Sequence, residues 1–276
     1  MKTATFTAYA RMTGYDSPQL NSLGIRLDHV FVVSSLQNNW NCFGGGIEEA
    51  CDNHKIASSP GYVEWARLVY GPENEGKGGR PPNAFPAADV TELFNGVCQN
   101  AANRILALTE YNLDVRKANG NALVTLLYGK YGFGINVFIE KIKAAASLCG
   151  ASEDELKMIL NRFEQGQSAE AELDILRNIY TLRLGRPFPE IPAEQWSRMV
   201  QNHSVFQLRR TVEFNRLACD QSGHDIREDL VIALRPDLER YYNELENVFG
   251  RAAVLQIMQV LPSNIALAMK AFDGSR

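Results

Sequence analysis

Cys98 follows Asn95-Gly96-Val97 and precedes Gln99-Asn100-Ala101-Ala102-Asn103-Arg104, so a turn delivers it to the first turn of a helix. A thiol there faces free backbone N–H groups and the positive end of the helix dipole, and both favour thiolate over thiol. The same N–H groups can hold an oxyanion after sulfur attacks a carbonyl. The plainer reading is a small residue packing the helix against a sheet, which is how most free cysteines are used. His29 alters that balance. It lies between Asp28 and Val30 in a run dense in β-branched and aromatic residues, and a strand holds an imidazole rigidly enough to serve a thiol as base. Its plainer role is a half-buried ring satisfying a backbone carbonyl. The other histidines compete weakly, since His203 and His224 fall in helical or helix-linking segments and His54 in a loop.

A second constellation is Cys42, Cys51 and His54. Cys51-Asp52-Asn53-His54 has a spacer that suits a metal, with Cys42 and His29 available to complete four ligands. Zinc knuckles show two tight ligand pairs and only one stands here, so packing of Cys42 and solvation of His54 is the competing account. Gly44-Gly45-Gly46 and Gly76-Lys77-Gly78-Gly79-Arg80 lack the Lys-Ser/Thr ending of a phosphate loop, and the second reads as a surface loop or lid.

The chain that must position these residues has 276 of them, 45% hydrophobic and 22% charged, which are ordinary globular values. A formal net charge of -4, with no basic cluster, gives no reason to expect nucleic acid. No apolar stretch approaches the ~20 residues a bilayer requires, so no membrane span is expected. No apolar block follows Met1-Lys2, which points to a cytoplasmic protein or one secreted by a specialised system without a cleavable signal. Five cysteines, irregularly spaced, argue against a disulfide framework.

Fold class reads as α+β: a small antiparallel sheet with a Cys-bearing helix over 1–134, then an all-helical part over 135–276. Leu27 to Val33 reads as a strand, Trp40 to Phe43 as its hairpin return, and Tyr62 to Tyr70 as a second strand or edge segment. Gly- and Pro-rich Pro72 to Pro86 reads as loop. Ala101, Ala102, Ile105 and Leu108 form an apolar stripe predicting a helix from Cys98 to Leu108, and Leu123 to Tyr128 reads as a buried strand. Beyond Ile135 the pattern is helical. Ser152-Glu153-Asp154-Glu155 has capping-box spacing, Gly166-Gln167-Ser168 closes that helix, and Glu170 to Leu184 forms the next. Ala193 to Cys219 reads as one long helix, followed by Asp225 to Leu234, Asp237 to Phe249 and Ala252 to Leu261, split by Pro236 and Gly250.

The order of histidine on an early strand, hairpin, loop, then cysteine opening a helix resembles the circularly permuted papain-like thiol hydrolases and acyltransferases. These are relatives of lecithin–retinol acyltransferase and of bacterial cell-wall endopeptidases. The resemblance is carried by Asp28-His29-Val30-Phe31-Val32, Trp40-Asn41-Cys42-Phe43-Gly44 and Gly96-Val97-Cys98 through Arg104, within residues 25 to 130. It implies Cys98 as nucleophile, His29 as general base and a polar residue on the following strand to orient the imidazole. Asn41 is chosen for that role, with Asn39 and Ser35 open because register cannot be read from the sequence. Trp40 and Gln99 would contact substrate, although a large aromatic such as Trp40 is more often core. The long interval from His29 to Cys98 departs from the pattern and needs an insertion around Pro72 to Pro86.

The expected activity is hydrolysis or transfer at an amide or ester bond, as in a bacterial amidase or peptidase, without a cofactor. The partners expected are a peptide, amide or ester substrate and, through the helical half, a protein. The alternatives are a non-enzymatic helical interaction protein with structural cysteines, and a small zinc-site protein using Cys42, Cys51 and His54.

Overall fold

The structure is a computed structural model and describes residues 2–12, 28–36, 39–40, 54–65, 98–133, 135–219 and 226–258. It is an α+β fold. Strands β1 (Thr3–Met12), β2 (Asp28–Ser34), β3 (Asn39–Trp40) and β4 (His54–Tyr62) form an antiparallel sheet in the order β3-β2-β1-β4. Central β1 places Ala4, Phe6, Ala8 and Ala10 on one face, in register with Val32 opposite Ala8 and Val30 opposite Ala10. This period-two pattern lies outside the strands expected from the sequence, because alanine is a weak strand former and conceals the alternation. On the β4 side the register slips between Ala8 and Tyr9, a bulge that increases local twist.

Helix α1 (Cys98–Ala107) lies on that face, with Ala102, Ile105 and Leu106 packed against Val30, Val32, Ala8 and Ala10. The alanines leave room for the helix to approach. The expected helix from Cys98 is therefore present, and all ten of its residues are buried. The segment expected as a buried strand is instead helix α2 (Asn121–Tyr128), entered at Gly120 (φ 78°) and left at Gly129 (φ 76°). An apolar run buried on every side looks the same in either conformation, and the left-handed glycines at both ends decide for the helix. The strand expected from Tyr62 onward lies earlier: β4 ends at Tyr62, and 66–70 fall outside the described residues.

Helices α3 (Ile135–Cys149) and α4 (Glu153–Gly166) pack Ile142, Ala145, Ile159 and Phe163 around Trp65, Leu108 and Tyr131. The capping box at the start of α4 is formed: Ser152 Oγ accepts from Glu155 N at 3.2 Å, and Ser152 N donates to Glu155 Oε2 at 2.9 Å. The guanidinium of Arg162 donates to the carbonyls of Ala107, Thr109 and Glu110, where a cation complements the C-terminal end of α1.

Helices α5 (Ala169–Leu184), α6 (Ala193–Cys219), α7 (Ile226–Phe249) and α8 (Arg251–Met258) enclose α2 in the largest apolar core. The long helix expected from Ala193 to Cys219 is present. The break expected at Pro236 is not, for α7 runs through it. An internal proline costs ~3 kcal/mol. Leu230, Leu234, Leu238, Tyr242 and Leu245 continue one buried stripe across it, each stabilising by about 1.5–3 kcal/mol, so packing prevails.

This core encloses a charged network. Glu172 of α5, 2% exposed, accepts from His203 Nε2 at 2.7 Å and from Arg210 Nη2 at 3.0 Å, both on α6. Burial opposes ionisation of Glu172. Arg210 and His203 more than offset that, holding its carboxyl below its ordinary 4.5. Tyr241, whose ring lies 5.3 Å from that of His203, is pushed well above the usual phenol range by burial and then by Glu172.

Two outcomes are expected. A Cβ on Gly166 would lie 2.6–2.7 Å from Tyr131 ring and hydroxyl atoms, so Gly166→Ala should destabilise by about 1–3 kcal/mol in urea unfolding. Because the folded-state pKa of Glu172 is depressed, its contribution is complete above about 4.5 and is lost as pH falls towards the folded value. Glu172→Gln should therefore cost about 3 kcal/mol near neutrality and progressively less on acidification, a gap that stays constant if the carboxylate is not the cause.

Candidate active site

In a strand, the N–H and C=O groups of residues of the same parity point to the same side. Among the described residues β3 pairs with β2 at Val32 and Val33, and the outer side of Asp28–Val30 faces the described start of α1 and the turn at Asn119. Those buried groups need partners, and the N-terminus of α1 supplies them. Val30 N donates to Cys98 Sγ at 3.5 Å, and the sulfur lies 3.9 Å from Asp28 O. Gln99 Nε2 donates to Asp28 O at 3.3 Å and to Asn119 O at 2.9 Å, while Asp28 N donates to Asn119 O at 3.2 Å. The Asp28 carboxylate accepts from Asn119 N at 2.8 Å and Nδ2 at 3.1 Å. Asn121 Nδ2 donates to Gln99 Oε1 at 3.0 Å.

Cys98 and His29 are thus brought side by side along the chain: the sulfur abuts the amide that immediately follows His29. Their side chains approach from different directions. Val30 and Val32 point towards α1, so alternation sends the His29 side chain from the other face, where its ring stacks on Phe31 at 6.1 Å and Phe31 on Tyr9 at 5.8 Å. The imidazole and the sulfur therefore approach β2 from different faces.

The remaining candidates are placed as follows. Gln99, expected to contact substrate, is fully buried, and its amide is committed to Asp28, Asn119 and Asn121; it holds the strand and helix together. Trp40 is described in its backbone alone, opposite Val32, and Asn41 lies outside the described residues. Ser35 Oγ accepts from Thr5 N at 3.1 Å and stands six residues beyond His29, roughly 20 Å along a strand, so it cannot orient that ring. Cys42 and Cys51 lie outside the described residues, and His54 is described only as the first residue of β4. Among the described residues no three His, Cys, Asp or Glu gather as a metal ion would require. No described helix is long and apolar enough to cross a membrane. Comparisons with profiles of known protein families, with curated proteins and with solved structures each found no match.

Asp28, Asn119 and Asn121 were not among the residues expected to build this site. The one available signal was Asn119-Gly120-Asn121, a turn former whose Gly120 adopts positive φ. Replacing Gln99 with Leu would leave Asn121 Nδ2 and the two carbonyls short of a partner. A loss of about 3 kcal/mol in urea unfolding is expected, and a loss under about 0.5 kcal/mol would mean the edge is satisfied in another way.

Proposed function

We propose that the protein is a cysteine-dependent hydrolase or acyltransferase acting on an amide or ester bond. One observation carries this reading: the sulfur of Cys98, the first described residue of α1, is seated 3.5 Å from Val30 N in the peptide joining His29 to Val30. For the reaction the His29 imidazole, held beside Phe31 on the other face of β2, has to swing towards Cys98; it then takes the thiol proton as sulfur adds to the carbonyl carbon, and backbone N–H at the start of α1 receives the oxyanion. Collapse of the tetrahedral adduct breaks the bond to the leaving nitrogen or oxygen, which takes the proton from His29 and leaves a thioester on Cys98. Water or an acceptor alcohol or amine then adds to the thioester, losing its proton to His29, and the thiol is regenerated. Asn41 is retained as the residue proposed to orient His29, and Trp40 as a wall of the substrate groove.

A second reading, docking of a protein partner on the helical half, is favoured by the exposed Val205, Leu208 and Val212, which recur at helical spacing on α6.

The deciding measurement is iodoacetamide labelling of Cys98 from about pH 5 to pH 9, the span of activated thiols, resolved by peptide because Cys219 is exposed. Rapid labelling at the acid end that His29→Ala abolishes is the expected result. Labelling confined to the range of an ordinary thiol, indifferent to His29, would retire the catalytic reading in favour of the second.

A further inference from the structure

The polar residues of α1 converge on one short stretch of chain. Asn100 Nδ2 donates to Gly129 O at 2.7 Å and to Lys130 O at 3.3 Å, and Asn103 Nδ2 donates to Lys130 O at 3.0 Å. Arg104 donates to Tyr131 O. Asn100 is two residues from Cys98, so the position of 129–131 sets that of the sulfur to within about one helical turn. From its other side the same stretch is held by the helical half. Arg210 Nη1 donates to Thr125 O at 3.1 Å and to Leu126 O at 2.7 Å, the C-terminal carbonyls of α2. Glu172 grips that guanidinium through both oxygens, at 3.0 and 3.3 Å.

We infer that Glu172 and Arg210 are positioning residues for Cys98, acting through the Gly129–Tyr131 turn, an inference that rests on the thiol reading above. Two features favour this over a purely stabilising role. A buried ion pair is a poor source of stability, since well-packed apolar residues commonly do as well, but it is strongly directional. The pair also lies directly against the turn: a Cβ on Gly129 would sit 3.2 Å from both Arg210 Nη2 and Glu172 Oε1. Gly129 is needed there both for its positive φ and for that approach.

The test uses the full chain with Glu172→Gln, Arg210→Lys (which keeps the charge but loses the fork) and Leu238→Ala. The last loosens the same apolar core while leaving every hydrogen-bonding group of the clamp in place. Hydrogen exchange over 98–107 and 125–131 and the Cys98 labelling profile are read together. Expected are exchange at least about tenfold faster over both segments and about tenfold slower acid-end labelling in the two clamp variants, with neither in Leu238→Ala. Equal exchange over 98–107 in clamp and control variants would overturn the inference whatever the labelling shows. If the exchange difference is present but the wild-type thiol labels as an ordinary one, the clamp stands as a structural coupling. In that case its assignment to catalysis is overturned together with the thiol reading.

Discussion

Buried backbone groups of a strand must each find a partner, and this constraint organises the front of the molecule. The outer groups of Asp28 and Val30 on β2 are met by a thiol, a side-chain amide and the carbonyl of a turn residue. The partners come from Cys98 and Gln99 at the described start of α1 and from Asn119, so strand, helix and turn are tied together at this one place.

The demands of that edge extend into the rest of the fold. A helix that delivers its first residue to a strand edge must be fixed in rotation and along its axis, and apolar packing alone tolerates small slides. α1 therefore carries Gln99, Asn100, Asn103 and Arg104 fully buried, each bonded to backbone. Each would cost ~1–3 kcal/mol if left unpaired, so the helix has few alternative positions. The carbonyls they grip belong to the turn after α2, and α2 is itself embedded among α5, α6, α7 and α8. The front sheet and the helical half thus meet in α2 and the turn that follows it.

The sequence was legible where one physical signal dominates. The long helix α6, the Ser152 capping box and the helix beginning with Cys98 are each carried by local signals, and each is present. Reading failed where two states share a pattern. Leu123 to Tyr128 is apolar on every side, so neither period shows. β1 alternates, but through alanine. Pro236 is a strong local signal overruled by non-local burial of Leu234 and Leu238. At the site, the helix carrying Cys98 and the strand carrying His29 were legible from local pattern, but the different faces from which their side chains approach were not. Asp28, Asn119 and Gln99 were not read in their holding roles, because those depend on which groups of β2 meet the helix and the turn, a property of the assembled fold that no single segment carries.

The position of the sulfur also bears on how a cysteine here would be used. A thiol serving only as filler would sit among the apolar residues between α1 and the sheet, where Ala102, Ile105 and Leu106 are. Cys98 lies one turn before that contact, and its sulfur accepts a backbone N–H across the strand edge. The same sulfur lies 3.9 Å from Asp28 O, to which the thiol donates, so Cys98 uses both its acceptor and its donor at the strand edge. Serine could make a comparable bond, but its oxygen is smaller and harder to ionise. The 3.5 Å contact from Val30 N suits the larger radius of sulfur and ties Cys98, the first described residue of α1, to the strand.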